Sequence, residues 1–514
     1  MTTTCGLPEC AVRCIMVVIT GVSGDRMLFM HPFRKPIVEQ TECNADVPSS
    51  SSYYHPHPKA KDKPTLTKLT DAITNTEEVM TEFTLSVELL AQILTVPASA
   101  TNQGFDLKID NQRFVAWPKN WRQKGCKTDS RVSIVFALKA SADAQTVQSY
   151  QKLSNKLAVS FVTLQQVDQF LEQQEKIAND EDCFATEPFK LFRQKSRMAQ
   201  VLVDVYNDLT TKGNVHKYVM DFVEVGFCDE AHSLSCNNVI PKGKMEIEKI
   251  IRKMKPYHGI LILEDVWPTP DANPVVANLL RHCSPDRSIL DMSTSSGIPI
   301  FEVFLIIRHL ITWARAVLIY PLCNTNVYTS ATSPQSLEKM AEKFAQQFGA
   351  TIHLAAGLAH FNPPATLESF IRPNLSLAEQ VIRSRLVVSL IRHQMLMQLH
   401  QFFYILKPYS SAVCPPKNNN CPNDMKRKIA QSNIPEDVKE LVGDICGEML
   451  RTMSFAEVDE KLTHFIQIAP LMDGEHHLED IKYTVNLDRQ QIEDVLESFQ
   501  LVIAKFLRPD FVAE

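Results

Sequence analysis

The sequence predicts an α+β multidomain fold: an N-terminal five-stranded antiparallel-type sheet with helices, a mixed α/β middle region, and a helical and winged-helix-like C-terminal region. Three observations carry this reading. Short segments of period-two alternation or β-branched residues recur between residues 12 and 139. Apolar strand runs alternate with a helix between 258 and 322. From 478 to 506 the order is helix, turn, helix, strand. The domains follow as 1–190 with an insertion at about 34–80, a middle region at 191–330, a helical region at 331–408, a linker at 409–424 and a last domain at 425–514.

Val12–Ile19 is a β-branched run and a predicted strand. Met27–His31 returns after the turn Gly21–Arg26 and stops at Pro32. Residues 34 to about 78 hold too little apolar surface to offset the cost of ordering, which predicts a mobile insertion. Leu85, Leu89, Leu90, Ile93 and Leu94 form a helical stripe closed by Pro97. In the hairpin Phe105–Pro118, Phe105, Leu107 and Ile109 alternate with Asp106 and Lys108. Asp110–Arg113 supplies the turn, and Phe114, Val115 and Trp117 return as a strand that Pro118 stops. Arg131–Lys139 is the fifth strand, and Ala142–Lys176 has helical spacing, as one helix or two.

Further helices are predicted at Gln200–Gly213, Ile247–Pro256 and Pro299–Trp313, with strands at His258–Val266 and Ala316–Leu322. In Ser333–Gly349, Ser333 caps, Pro334 takes the first turn and Gly349 ends the helix. Ser376–Glu379 is a capping box that opens a helix expected to run to Lys407, where Pro408 stops it. Ser454–Glu457 is another capping box. Leu478–Val485 and a helix capped by Asp488–Gln491 precede a strand at Leu501–Phe506.

At 514 residues, 45% hydrophobic and 22% charged, the composition is that of a globular protein. A net charge of −6 supplies no basic field for nucleic acid or an anionic membrane. No signal-peptide pattern opens the sequence, and its 13 cysteines are scattered and odd in number, so reduced thiols in the cytoplasm are expected. The longest apolar region, Ile298–Leu322, is interrupted by Glu302, Arg308, His309 and Arg315. That argues for a buried helix and strand over a membrane span.

No residue is assigned a catalytic, cofactor-binding or metal-binding role from the sequence. The turn Gly21–Arg26 lacks a Gly-Lys-Ser/Thr ending and leads into a strand, so it is read as a hairpin loop. His55 with His57, and Cys414 with Cys421, lack further ligands at zinc spacing. Glu264-Asp265 is read as a strand-end turn. Arg383, Arg385, Arg392 and His393 are candidates for contact with an acidic partner, against the commoner reading of solvated helix charges. Lys426–Lys428 reads as surface. In the last helix Glu493, Asp494 and Glu497 would repel phosphate, which favours a protein-contacting winged helix over a DNA reader. Arg26 and Arg113 are the candidates for a finger arginine that stabilises a transferring phosphoryl group; the simpler reading of each is an ordinary hairpin arginine.

Five segments carry a family resemblance: RMLFMHPF at 26–33, FDLKIDNQRFVAWP at 105–118, YHGILILED at 257–265, WARAVLIYPLCNTNVY at 313–328, and HHLEDIKYTVNLDRQQIEDVLESFQLVIAKFLRPD at 476–510. In combination and order they resemble nitrogen permease regulator three-like proteins. The resemblance implies an N-terminal longin domain of two strands, a helix, three strands and two helices. It further implies a non-enzymatic subunit of a Rag GTPase-activating complex that represses target-of-rapamycin signalling, and promotes autophagy, when amino acids are scarce. Its implied partners are a nitrogen permease regulator two-like protein, joined longin to longin and bearing the catalytic arginine, a large DEP-domain subunit, and Rag GTPases through the complex. Cytoplasmic residence with recruitment to the lysosomal or vacuolar surface is expected, without nucleic acid, cofactor or membrane insertion. Two rivals remain at this stage: a chain that supplies its own arginine finger, and a longin-type membrane-trafficking adaptor.

Overall fold

The computed structural model describes residues 12–21, 24–33, 83, 85–122, 129–179, 189–219, 223–237, 239–263, 273–331, 337–349, 353–406, 421–510 and 512. The insertion with His55 and His57, the Glu264-Asp265 pair, Ser333, Pro334 and Cys414 lie outside these residues. The chain forms two compact units, Cys10–Asp229 and Glu230–Glu514.

In the first unit, β1 (Val12–Gly21) pairs antiparallel with β2 (Gly24–His31). Helix α1 (Val87–Leu94) follows, with the Ser86 hydroxyl accepting from the Leu89 amide at 3.3 Å. The expected hairpin is β3 (Phe105–Ile109) and β4 (Gln112–Ala116), with Phe105 opposite Ala116 and Ile109 opposite Gln112. Asp110 takes the left-handed conformation at its tip. Next come β5 (Lys119–Arg122) and β6 (Asp129–Lys139). The sheet order is β2-β1-β6-β4-β3, with β5 also on β6.

The sheet thus has six strands where five are expected, because Pro118 interrupts the strand without ending it. Val132 of β6 faces both Ile19 of β1 and Lys119 of β5. Strand β5 therefore lies on the edge of β6 away from β1, in line with β4. Proline lacks the N–H a ladder needs, and pairing resumes just past it.

Alternation sorts the sheet's side chains onto two faces. Ile15, Val17, Ile19, Ile134 and Phe136 belong to one core; Cys14, Met16, Val18, Val135 and Ala137 belong to the other, with Leu90, Ala91 and Leu94 of α1. The first core is closed by α2 (Ala144–Asp168), α3 (Phe170–Asn179), α4 (Lys190–Lys195) and α5 (Arg197–Thr211). Gln169, at φ 54°, divides α2 from α3, so the stretch read as one helix or two is two. A hairpin of β7 (Asn214–Val219) and β8 (Val223–Cys228), absent from the sequence-based expectations, buries Val215, Val219, Val225 and Phe227 in the same core.

The second unit begins with α6 (Glu230–Cys236), α7 (Lys244–Arg252), β9 (Gly259–Ile262), α8 (Pro274–His282), α9 (Ile289–Ser296), α10 (Ile300–Thr312) and β10 (Ala316–Ile319). It continues with β11 (Val327–Ser330), α11 (Leu337–Phe348), α12 (Leu354–Ala359), β12 (Ala365–Thr366), α13 (Leu367–Ile371), α14 (Leu377–Arg392) and β13 (Leu396–Ile405). The remainder is α15 (Asn423–Gln431), α16 (Glu436–Met449), α17 (Phe455–Ile468), β14 (Asp473–His477), α18 (Leu478–Val485), α19 (Arg489–Ser498) and β15 (Ile503–Arg508). Both capping boxes, at Ser376 and Ser454, are formed. No single helix among the described residues is long and apolar enough to cross a membrane, and the apolar pair α9 and α10 is bent by 119°. Helix α10 buries Val303, Ile307, Leu310 and Ile311 but leaves Phe301 and Leu305 in solvent.

A second expectation is overturned. The helix from Ser376 does not reach Lys407, and 331–408 is not a helical region throughout. Helix α14 ends at Arg392, Gln394 turns the chain at φ 51°, and β13 follows. Leu, Met and Gln are good helix formers, which hides this strand, but Phe402, Phe403, Tyr404 and Ile405 are strand residues and tertiary pairing decides. Residues 396–399 pair with β11, whereas 400–405 pair with β15, and β14 lies against Phe402 and Tyr404. Strands drawn from before and after 407–420 thereby form one five-stranded sheet.

Gly474, at φ +84°, sits where an added Cβ would fall 2.0 Å from the Tyr404 ring. Gly474→Ala is expected to destabilise this unit by about 2 kcal/mol, from the left-handed backbone and the displaced ring. Gly443→Ala, in α16 with nothing within 4 Å of the new atom, should instead gain up to about 1 kcal/mol. Thermal or urea unfolding of the two variants checks the opposite signs.

Candidate functional site

The two finger candidates lie on the first unit's sheet, and both are engaged. Arg26 of β2 donates to the Asn179 side chain and, at 3.2 Å, to the Ala178 carbonyl. Arg113 of β4 makes a two-pronged contact with Asp106 at 2.8 and 2.7 Å, and its remaining arm donates to the Ala142 carbonyl at 2.8 Å. The hydrogen bonds it donates to Asp106 raise its guanidinium pKa further. A finger must bring an uncommitted guanidinium to a phosphoryl group; these two tie hairpins to neighbouring backbone.

The other charged candidates fall in the second unit. Arg383 donates to the Phe370 carbonyl and stacks over the Phe370 ring at 5.4 Å. Arg385 is exposed, and the half-buried Arg392 has an enclosed Nε without a hydrogen-bond partner. On α19, Glu493 pairs with Arg489 at 3.0 Å while Asp494 and Glu497 face solvent. Cys421 is buried, and burial raises its thiol pKa; burial pushes Cys446 up to about 12. Among the described residues no group of three His, Cys, Asp or Glu is placed to hold a metal ion.

A cluster the sequence did not reveal is a buried knot of tyrosines, histidines and carboxylates. Gly259 faces Ile319 across the β9–β10 pair, which brings Tyr257 and His258 beside Tyr320. His400 comes from β13, His477 ends β14, Asp480 lies in α18 and Asp510 follows β15. Ring centroids lie 4.0 Å apart for Tyr320–His400, 4.6 Å for Tyr257–His258, 4.9 Å for His258–Tyr320 and 5.3 Å for Tyr320–His477.

Hydrogen bonding fixes the proton positions. The Asp480 amide donates to His477 Nδ1 at 3.3 Å, so the imidazole proton sits on Nε2. Nε2 donates to the Tyr320 oxygen at 2.9 Å, and the Tyr320 hydroxyl donates to Asp510 Oδ2 at 2.7 Å. Tyr257 donates to Asp480 Oδ1 at 3.2 Å, and His476 Nδ1 lies 2.6 Å from Oδ2. Each link polarises the next in one direction.

Burial pushes His258 down to about 4 against the pull of Asp510, and burial reinforced by His477 takes His400 to about 3. His477 is lowered by burial too, and burial raises the hydroxyls of Tyr257 and Tyr320. For Asp480 burial acts upward, but hydrogen bonds from His476 and Tyr257 and the nearby imidazoles outweigh it and hold the carboxyl low. At neutral pH the three imidazoles are therefore uncharged and the tyrosines protonated. The arrangement positions strands, and it leaves His258 Nε2 and His400 Nε2 buried without a hydrogen-bond partner.

The family described as "Nitrogen Permease regulator of amino acid transport activity 3" matches residues 235–408, and that described as "GATOR1 complex protein NPRL3, C-terminal HTH" matches 447–504. The knot draws residues from both stretches. A Caenorhabditis elegans protein named "GATOR complex protein NPRL3" is 57% identical over 507 residues, 98% of each chain. A Drosophila melanogaster protein of the same name is 29% identical over 76% of this chain and 66% of its own. A "Nitrogen permease regulator 3-like protein" of Schizosaccharomyces pombe is 21% identical over 49% and 45% of the two chains.

The knot predicts an acid-sensitive unit. An unfolded histidine titrates near 6.5, and His258 and His400 titrate lower when folded. Their stabilising neutrality is complete above about pH 6.5 and is lost as pH falls toward 4 and 3, at up to about 1.4 kcal/mol per pH unit for each. Asp480 adds to the loss only below its ordinary value. Unfolding midpoints measured from pH 7 to 5 should fall, and His400→Phe should reduce the slope by one proton's share.

Proposed function

The chain belongs to the nitrogen permease regulator 3 family, and on that premise we propose that it is a non-catalytic scaffold subunit of a Rag GTPase-activating complex that represses target-of-rapamycin signalling during amino-acid starvation. The observation that carries this reading is the 57% identity, over 98% of each chain, with a protein named as a GATOR complex component. In this reading the first unit contains a longin domain, within residues 1–190. Two strands, a helix, the remaining strands and two helices follow one another there, and the sheet order β2-β1-β6-β4-β3 leaves β2 and β3 as edges able to meet a second sheet. Its companion is the longin domain of a nitrogen permease regulator two-like subunit, which supplies the finger arginine. A large DEP-domain subunit completes the assembly, which works from the cytoplasm at the lysosomal or vacuolar surface and connects nutrient supply to autophagy.

The commitments of Arg26 and Arg113 support a scaffold over a catalytic subunit. Acidic residues along α19 favour protein over nucleic acid as the ligand of the helix-turn-helix segment.

Single-turnover GTP hydrolysis on Rag heterodimers by the reconstituted complex separates the readings. Removing a true finger costs on the order of 10³–10⁵ in rate. Arg26→Ala and Arg113→Ala, in complexes that still assemble, should each leave the rate within about threefold of wild type. A finger-sized loss would transfer the catalytic role to this chain. Purification of the endogenous protein should recover a regulator-two subunit; vesicle-fusion proteins in its place would point to trafficking.

A further inference from the structure

Helix α14 buries only part of its length. Leu386, Val387 and Leu390 enter the core, but its first two turns stand out, with Leu377 78%, Val381 44% and Ile382 42% exposed. Leu377, Val381, Arg385, Val388 and Arg392 recur at helical spacing along one stripe. That stripe forms one wall of a groove of ≈ 890 Å³, whose other side is built by Phe348 of α11 and by Ile371 and Arg372 at the end of α13. The stripe runs the full 16 residues of α14, about 24 Å at 1.5 Å per residue. A trough of that length suits a polypeptide better than a metabolite.

Its charge selects the occupant. Arg372, Arg385 and Arg392 line the groove against a single carboxylate, Glu368, on a chain whose net charge is −6. A carboxylate at that end of the trough would meet the half-buried Arg392 guanidinium. Apolar side chains flanked by arginines match an amphipathic helix whose apolar ridge is bordered by Asp or Glu.

We propose that the α14 groove is a docking site for an acidic amphipathic helix of a partner protein, with the apolar ridge on Leu377, Val381 and Val388 and carboxylates on Arg385 and Arg392. The site is separate from the first unit's sheet and does not depend on how that sheet pairs.

The test uses the full chain and a fluorescein-labelled peptide of about sixteen residues, with leucines at helical spacing flanked by glutamates, beside its lysine counterpart. Fluorescence anisotropy should show saturable binding of the acidic peptide, at least about tenfold tighter than the lysine peptide and weakened by salt. R385E combined with R392E should reduce binding by at least about tenfold. Because Arg392 is half-buried, the pair R385E and L377D, both at exposed positions, repeats the test with the fold checked by circular dichroism. Equal affinity for the two peptides, no binding of either, or affinity untouched by the substitutions would overturn the proposal. So would a concentration-dependent dimer of the chain that the same substitutions dissolve, which would assign the groove to a second copy.

Discussion

The structure of the second unit depends on one strand being paired along its length by segments far apart in the chain. β13 has Leu396–Leu399 against β11 and His400–Ile405 against β15, while β14 lies against Phe402 and Tyr404. Phe402 and Phe403 are fully buried, so their backbone groups cannot fall back on water and must find partners in neighbouring strands. The partners come from both sides of residues 407–420. Neither the α/β region before that stretch nor the helices after it can complete the sheet alone. The tyrosine–histidine knot sits on the same strand: His400 lies under Tyr320, and His477, opposite Phe402 in the ladder, bonds to it. Strand pairing and the knot are therefore one constraint, met when β10, β13, β14 and the residues after β15 are all in place.

Most of the fold was legible where a pattern is local. The hairpin at Phe105–Ala116, the capping boxes at Ser376 and Ser454, and the helix-turn-helix-strand tail could be read because residues within about seven positions decide them. Two failures were of another kind. The β7–β8 hairpin has strands of only six residues, and in β7 the buried Val215 and Val219 lie four positions apart, which fits a helix as well as a strand. Strand β13 was hidden because no glycine or proline separates it from α14, and the turn is made by Gln394, a residue that does not advertise a left-handed conformation. The knot had no local signal at all, since Tyr257 and Asp480 are 223 positions apart. Its members become recognisable only once the sheet brings them together.

Charge in this protein is sorted by burial. The buried imidazoles are held neutral, and the carboxylates beside them accept hydrogen bonds, so the interior carries little free field. Arg26 and Arg113, finger candidates whose simpler reading was an ordinary hairpin arginine, are engaged by neighbouring carbonyls and, for Arg113, by Asp106. Such commitments suit a protein whose contribution is geometry. An arginine that must leave its partners before it can reach a phosphate loses much of the advantage of being placed beforehand.

Two helices of the second unit present exposed charge of opposite sign. The outer stripe of α14 is apolar and basic; the outer face of α19 is acidic, with Arg489 already neutralised by Glu493 and Glu479. Such a division has a physical consequence for assembly. Long-range attraction sets the rate and orientation of encounter, and apolar contact then sets how long the encounter lasts. A surface that mixed the signs would bind weakly to many partners, whereas segregated helices reject like-charged partners outright and hold complementary ones in a single register. With the knot's imidazoles held neutral and Arg26 and Arg113 engaged, these exposed helices carry the charge that a partner would meet.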